Sequence, residues 1–433
     1  MKKEYSKNKL IALCSIVYFA SYLCRKNFAV AMAGMLAEEV FDKGTAGLIG
    51  TALFAAYGFG QLLSGYLGDK WQPNHMILFG LSLSALCNAL MPLVPQPFLM
   101  IPVWAVNGLA QAMLWPPIVR LLSENLSHED YVLGNAMVTC AAHSATLILY
   151  LFVPLCLRLW SWEIVFFATM AFALVVFLFF IFGMRQVLSD PPHSLISLLK
   201  TDGQTAQKGA GGYLRLLASA GVLPLLLSVA LQGYLRDGID SWLPTLFSEV
   251  FAVEATSSIL LTVILPIFAV FSMFLSLILH KRILRNETLG TGVLFAFAAV
   301  FALLLALLIE VKHPLASVLC LILAALITTC AHCCNFFLIS CLPGHFSRFG
   351  RAATTSGFCN AFTYLGSALA SYGIALLTEH FGWRVNILSW VGISLLGVLC
   401  SALAYRRYTR FLQAVNHSDT EKQEEKETAS AVA

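Results

Sequence analysis

Charge is what this sequence has least of. Asp, Glu, Lys and Arg make up 12% of its 433 residues, roughly half the share of an ordinary soluble domain, which excludes a water-soluble globule. No G-x-x-x-x-G-K-[ST] loop occurs, so a built-in nucleotide-driven motor is excluded as well. No nucleophile–base constellation stands out, and the chain reads as neither an enzyme nor a cofactor carrier. The formal net charge of +4 gives no reason to expect a nucleic-acid partner, because the bases are spread along alternate loops.

Apolar residues fill the space. They are 59% of the chain, in runs of about twenty that match a hydrocarbon layer roughly 30 Å thick. The pattern predicts helices over 10–38, 46–69, 75–94, 97–122, 131–154, 163–184, 215–248, 255–280, 289–309, 314–341, 351–378 and 385–407. One set of connections is basic, with Arg120, Lys281, Arg282, Arg285, Arg406, Arg407 and Arg410. The other is acidic, with Glu38, Glu39, Asp42, Glu249, Glu254, Glu310 and Glu379. The positive-inside rule then puts both termini in the cytoplasm, and an even helix count agrees. The expected location is a cytoplasmic membrane, with the lipid bilayer as the chain's surroundings. The opening run exceeds twenty residues, holds Arg25 and Lys26 and lacks a small-residue cleavage site, so it is a first membrane helix and no secretory signal. The sequons at Asn125, Asn286 and Asn416 fall on the cytoplasmic side, where glycosylation is not expected.

Twelve cysteines lie mostly inside apolar runs, where the thiol packs as a small hydrophobe. Cys330, His332, Cys333 and Cys334 have the composition of a metal site. On a helix, however, they diverge, and no second ligand pair closes a tetrahedron. No metal is expected.

The one long polar stretch between helices, 186–213, reads as a cytoplasmic linker. It separates an N-terminal six-helix bundle (1–185) from a C-terminal one (214–408), and 409–433 reads as a disordered cytoplasmic tail. The halves echo each other: GNAMVTCAAHSATLILY (134–150) lines up with TTSGFCNAFTYLGSALA (354–370). Each half also begins with a long helix bearing Tyr just ahead of Arg, YLCRKNF at 22–28 and YLRDGID at 234–240. The fold class is therefore an all-α membrane protein of twelve transmembrane helices in two pseudo-symmetric six-helix halves, an arrangement typical of carriers with a site near the midplane.

Arg25 lies near the middle of the first helix and Arg236 well inside the seventh. An arginine at the bilayer centre costs about 3 kcal/mol on the insertion scale. Either one alone could be a structural pin held by a carboxylate; two at matching places point to one anionic ligand. A guanidinium suits phosphate because its planar fork donates two parallel hydrogen bonds and keeps its charge. Asp240, four residues after Arg236, is expected to pair with it on one helix face. Asp237 is left to other partners, Lys26 among them. A sharper role for Asp240 is competition with substrate phosphate for Arg236, which would couple binding to closure. Asp69 and Lys70, at the end of the second helix, read as a gating contact. Trp115, Pro116 and Pro117 mark a bend in the fourth helix.

These residues carry a resemblance. YFASYLCRKNFAVAM (18–32) and GYLRDGIDSWLPTLFSE (233–249) resemble the first- and seventh-helix signatures of the organophosphate:phosphate antiporter family of the major facilitator superfamily. GLAQAMLWPPIVRLL (108–122) and RAATTSGFCNAFTYLGSALA (351–370) are similar to it too, so the resemblance covers most of 10–405. It implies a major facilitator fold, a functional monomer, and import of a phosphorylated metabolite (sugar phosphate, glycerol phosphate or phosphoglycerate) in exchange for inorganic phosphate. It also implies a phosphate clamp of Arg25 and Arg236, supported by Tyr18, Tyr22 and Lys26, with His143 and Tyr364 near the substrate.

Two departures stand out. Many members carry Ser-Lys in the second helix where this chain has Gly60 and Gln61, and the eleventh helix holds no charge to select a hexose. His143 has a plainer reading as well, a hydrogen bond to a carbonyl on a neighbouring helix. Two other functions stay open: a proton-coupled organic-anion carrier, and a transporter-like sensor of sugar phosphate.

Overall fold

Proline sets where the spanning helices break. The computed structural model describes residues 2–68, 71–94, 96–126, 128–188, 210–311, 313–349 and 352–432. Asp69, Lys70 and the middle of the linker lie outside the described residues. The N-terminal half comprises α1 (Lys2–Ala37), α2 (Lys43–Gly68), α3 (Pro73–Leu90), α4 (Pro97–Ala112), α5 (Trp115–Asn125), α6 (His128–Leu159) and α7 (Trp162–Leu188). A short α8 (Ala210–Ser219) leads into α9 (Val222–Val250), followed by α10 (Ala255–Leu261), α11 (Ile264–Ile278), α12 (Glu287–Leu308), α13 (Pro314–Asn335) and α14 (Ala352–Val432).

Helices α4 and α5 are one crossing interrupted at Met113 and Leu114. The rings of Pro116 and Pro117 collide with the carbonyls four residues earlier, which is where the break falls. Pro266 does the same to Thr262, dividing α10 from α11. In α14 the break is at Gly382, whose φ of 78° and ψ of 172° are open to glycine alone; the eleventh and twelfth crossings meet there.

Among the described residues, nine stretches are long and apolar enough to cross a membrane, the last being 60 residues that Gly382 folds into two crossings. The crossings missing from that set are α1 and α9, which carry Arg25, Lys26, Arg236, Asp237 and Asp240. With them the count reaches the twelve that the sequence predicts, and the boundaries agree within a few residues apart from three. Helix α1 begins at Lys2, well before the predicted start at 10. A positive φ of 73° at Gly221 splits α8 from α9, where the sequence predicts one helix from 215. The stretch from 409, expected to be disordered, continues as helix to Val432; its Gln, Glu, Lys and Ala are all good helix formers.

The apolar cores report the conformation. One cluster joins both halves at the end away from the termini, uniting Met32, Trp104, Trp242, Phe247 and Trp390. At the terminal end the core divides, one cluster drawn from the N-terminal half alone and another from the C-terminal half alone. The halves are thus packed together at one end and parted at the other. Large side chains such as Val175, Phe179 and Phe297 are more than half exposed, as a lipid-facing belt requires.

The packed end is sealed by polar contacts between halves. Lys43 Nζ lies 2.6 Å from Glu249 Oε2, and Trp383 Nε1 donates to the same oxygen at 2.8 Å. Thr51 donates to the Ala368 carbonyl across the same interface at 2.8 Å, while within the C-terminal half Trp242 donates to the Ser371 carbonyl at 3.1 Å. Close approach of α2 to α14 depends on Gly50, where a Cβ would land on Ser371 Oγ. Gly50→Val is expected to cost about 2 kcal/mol by overpacking, seen as a lower thermal midpoint of the purified protein. Gly357→Ala, at a helical position with open space around it, should not lower that midpoint.

Candidate functional site

Between the parted halves lies a cavity of about 300 Å³. Its walls follow from the packing of the crossings. Helices α2 and α14 pack together on one side, α6 with α10 and α11 on the other, and α1 and α9 run between them. Five charged side chains line it: Arg25 and Lys26 from α1, and Arg236, Asp237 and Asp240 from α9. Three cations face two carboxylates, and the distances decide which cation is left over.

Arg236 is fully engaged. Its Nε and Nη2 donate to the two oxygens of Asp237 at 3.1 and 2.8 Å, and Nη1 donates to Asn335 Oδ1 at 3.0 Å. Gln232 steadies Asn335 at 3.2 Å, and Ser367 donates to Asp237 Oδ2 at 2.7 Å. Lys26 crosses between halves, 3.6 Å from Asp237 and 3.9 Å from Asp240.

Arg25 is different. It is 6% exposed, its Nε is buried without a partner, and no hydrogen bond or ion pair joins it to a described residue. Its neighbours are ring faces, Tyr22 at 4.4 Å and Tyr57 at 4.9 Å, which attract a cation without neutralising it. The surplus positive charge of the cavity therefore sits on Arg25.

A polar platform holds Arg25 in place. The carbonyl of the preceding residue, Cys24, accepts from the amides of Asn88 and Asn107, both at 3.0 Å. Asn27 on the next turn donates to Asn88 at 2.7 Å and to Thr169 at 3.0 Å. Such satisfied networks fix one backbone arrangement, tying α1 to α3, α4 and α7.

The expected pair between Arg236 and Asp240 is not formed. Helical spacing favours it, but Ser367 and Lys26 hold the Asp237 carboxylate beside the guanidinium, and Lys26 draws Asp240 across the cavity. The remaining predicted residues do meet in one place. Tyr18 and Tyr22 stand 5.1 Å apart between ring centroids, His143 lines the cavity from α6, and Tyr364 of α14 packs against Tyr57 at 4.3 Å with the rings tilted by 59°. His143 makes no hydrogen bond to a backbone carbonyl among those described; its ring faces His332 at 6.4 Å.

The cysteine-rich turn of α13 separates by function. Cys333 and Cys334 point to carbonyls of Ser272 and Thr291, while His332 lines the cavity. No group of three potential metal ligands occurs among the described residues. Gln61, in the family's lysine position, is buried and turned to the Ala112 carbonyl at 3.4 Å, away from the cavity. Tyr57, Tyr150 and Asn335 also line the cavity; the sequence marks each only as a polar side chain within an apolar run.

Comparison with known proteins places the chain among membrane carriers of one superfamily. The chain is 23% identical to a probable hexose phosphate transport protein of Chlamydia pneumoniae, with 94% of each chain covered. It is 24% identical to the glycerol-3-phosphate transporter of Bacillus subtilis, again over 94% of each. The fold matches a bacterial homologue of the human lysosomal transporter Spinster, solved inward-facing and unoccupied, with a TM-score of 0.75, 13% identity, and 94% and 98% of the two chains covered. Residues 14–371 match the Major Facilitator Superfamily, and the chain belongs to that superfamily.

Proposed function

We propose that this protein carries a phosphorylated metabolite, such as a sugar phosphate or glycerol phosphate, into the cell in exchange for inorganic phosphate. The observation that carries the reading is the buried, unpaired Arg25 facing the same cavity as Arg236. A buried cation without an acceptor is costly in a low-dielectric interior, and a bound anion removes that cost. Phosphate is the anion best matched to two converging guanidinium groups, one from each half. The names of the full-length relatives, hexose phosphate and glycerol-3-phosphate carriers, support the same class.

In this reading Arg25 captures the phosphoryl group, and Arg236 joins once the ligand draws it from Asp237. Tyr18, Tyr22, Lys26, His143 and Tyr364 form the surrounding shell. The bodies 1–185 and 214–408 rock about the cavity, the linker 186–213 joins them, and a monomer suffices. The basic loops support a reading in which both termini, and hence the parted end, face the cytoplasmic side of a cell membrane.

The test is uptake of radiolabelled phosphate by proteoliposomes containing only this protein, with and without internal phosphate. Uptake that requires internal phosphate, and that organophosphates inhibit, is the expected result. Uptake that needs a proton gradient and ignores internal phosphate would overturn the exchange mechanism, and no uptake at all would overturn transport of phosphate.

A further inference from the structure

His332 stands apart from the phosphate clamp and is explained by nothing above. It follows Ala331 in a turn whose cysteines pack against α11 and α12, yet its ring is turned to the cavity rather than to those helices. Its Nε2 is buried and has no partner among the described residues. Across the opening stands His143 of α6, the ring centroids 6.4 Å apart. One imidazole thus comes from each half, and the halves are the bodies that part and meet.

The position of this pair within the cavity matters. Arg25 is enclosed by Tyr22 and Tyr57 on the α1–α2 side. The histidines belong to α6 and α13, on the other side of the α1–α9 layer. Arg236 links the two regions, since its anchor Asn335 lies three residues from His332 on α13 and so shares its face. An inorganic phosphate ion held at Arg25 and Arg236 fills the first region alone. A larger ligand extends into the second, where it meets two imidazoles, each offering one donor and one acceptor in its neutral form. That chemistry suits hydroxyl groups better than a second anion, for which an arginine or lysine would serve.

We infer that His332, opposite His143, is the C-terminal half's contact to the hydroxylated organic part of the substrate, and that it sets the preference for an organophosphate over inorganic phosphate. The inference rests on the phosphate-carrier reading and extends it to a residue that selects the substrate. A buried polar atom left unpaired discriminates strongly, because the ligand that supplies its partner is favoured over the one that does not.

Equilibrium binding of two probes, inorganic phosphate and glucose 6-phosphate, to the purified protein tests it. His332→Ala is expected to shift the ratio of the two affinities about tenfold against glucose 6-phosphate, the loss of roughly one hydrogen bond. His332→Gln, which carries an amide near the place of Nε2, should return the ratio to within about threefold of wild type. If alanine prevents folding, the glutamine variant compared with His332→Leu gives the same ratio. Equal weakening of both probes would mean a structural role and would overturn the inference, as would an unchanged ratio. A wild type that binds neither probe would overturn the phosphate-carrier reading itself, and this inference with it. A wild type that binds phosphate normally while the ratio stays fixed would overturn this inference alone.

Discussion

Arg25→Lys is expected to lower phosphate exchange at least about a hundredfold, with the protein still folded and inserted. Lysine keeps the charge but replaces a planar two-pronged donor with a single ammonium on a flexible stem. Arg25 has no acceptor among the described residues, so the variant loses no native contact beyond the tyrosine rings, and the defect falls on the ligand. Removing one partner from a buried, hydrogen-bonded charge pair costs about 2–5 kcal/mol, which brackets the hundredfold figure. Arg236→Lys should reduce exchange as severely but with a different signature. Its guanidinium holds Asp237 through two bonds and Asn335 through a third, so this variant should also melt at a lower temperature. Proteoliposome exchange and a thermal melt on the same preparations separate the two cases. Equal melting temperatures combined with intact exchange in either variant would contradict the clamp.

The largest effect on stability is expected from Asp237→Asn. That carboxylate faces Arg236 at 2.8 Å and Lys26 at 3.6 Å and accepts from Ser367. Neutralising it leaves Arg236 without its pair and Lys26 with Asp240 alone. Breaking a buried pair from one side costs about 3–5 kcal/mol, because the charge left behind stays desolvated. The folded yield should drop sharply. Lys26→Gln in the same chain removes one uncompensated cation and should recover much of the loss. A double-mutant cycle built from melting temperatures or urea midpoints would measure this coupling. Simple additivity of the two substitutions would mean that Lys26 and Asp237 do not share charge across the halves.

Much of this arrangement was legible in the sequence because charge in an apolar run is conspicuous. Arg25, Lys26, Arg236, Asp237 and Asp240 could be picked out by contrast alone, and Pro116 and Pro117 marked the break at Met113, whereas the break at Thr262 falls inside a stretch that the sequence predicts as one helix. Helix spacing failed where side-chain reach took over. Four residues separate Arg236 from Asp240 on one face, yet the long arginine stem folds back to its immediate neighbour, which Ser367 of α14 holds in position. That partner arrives from 130 residues away, and no local rule anticipates it. Tyr57, Tyr150 and Asn335 escaped for another reason. Tyrosine and asparagine are ordinary in membrane helices, and whether they meet a cavity depends on helix rotation, which neighbouring crossings set. His332 stands among cysteines in the sequence, and only the separate directions of their side chains in the fold divide that cluster.

The two crossings too polar to qualify as spans by composition carry a consequence for biosynthesis. A helix leaving the ribosome with unpaired charges resists entry into the lipid, by about 3 kcal/mol for each at its centre. In α9, however, Arg236 and Asp237 are consecutive and already bonded, so they enter as a nearly neutral unit. Asp240 is the charge that remains, and its partner Lys26 was made more than two hundred residues earlier and waits in α1. Integration of the second half therefore has a reason to follow the first, with α1 acting as the acceptor that lets α9 settle in the bilayer.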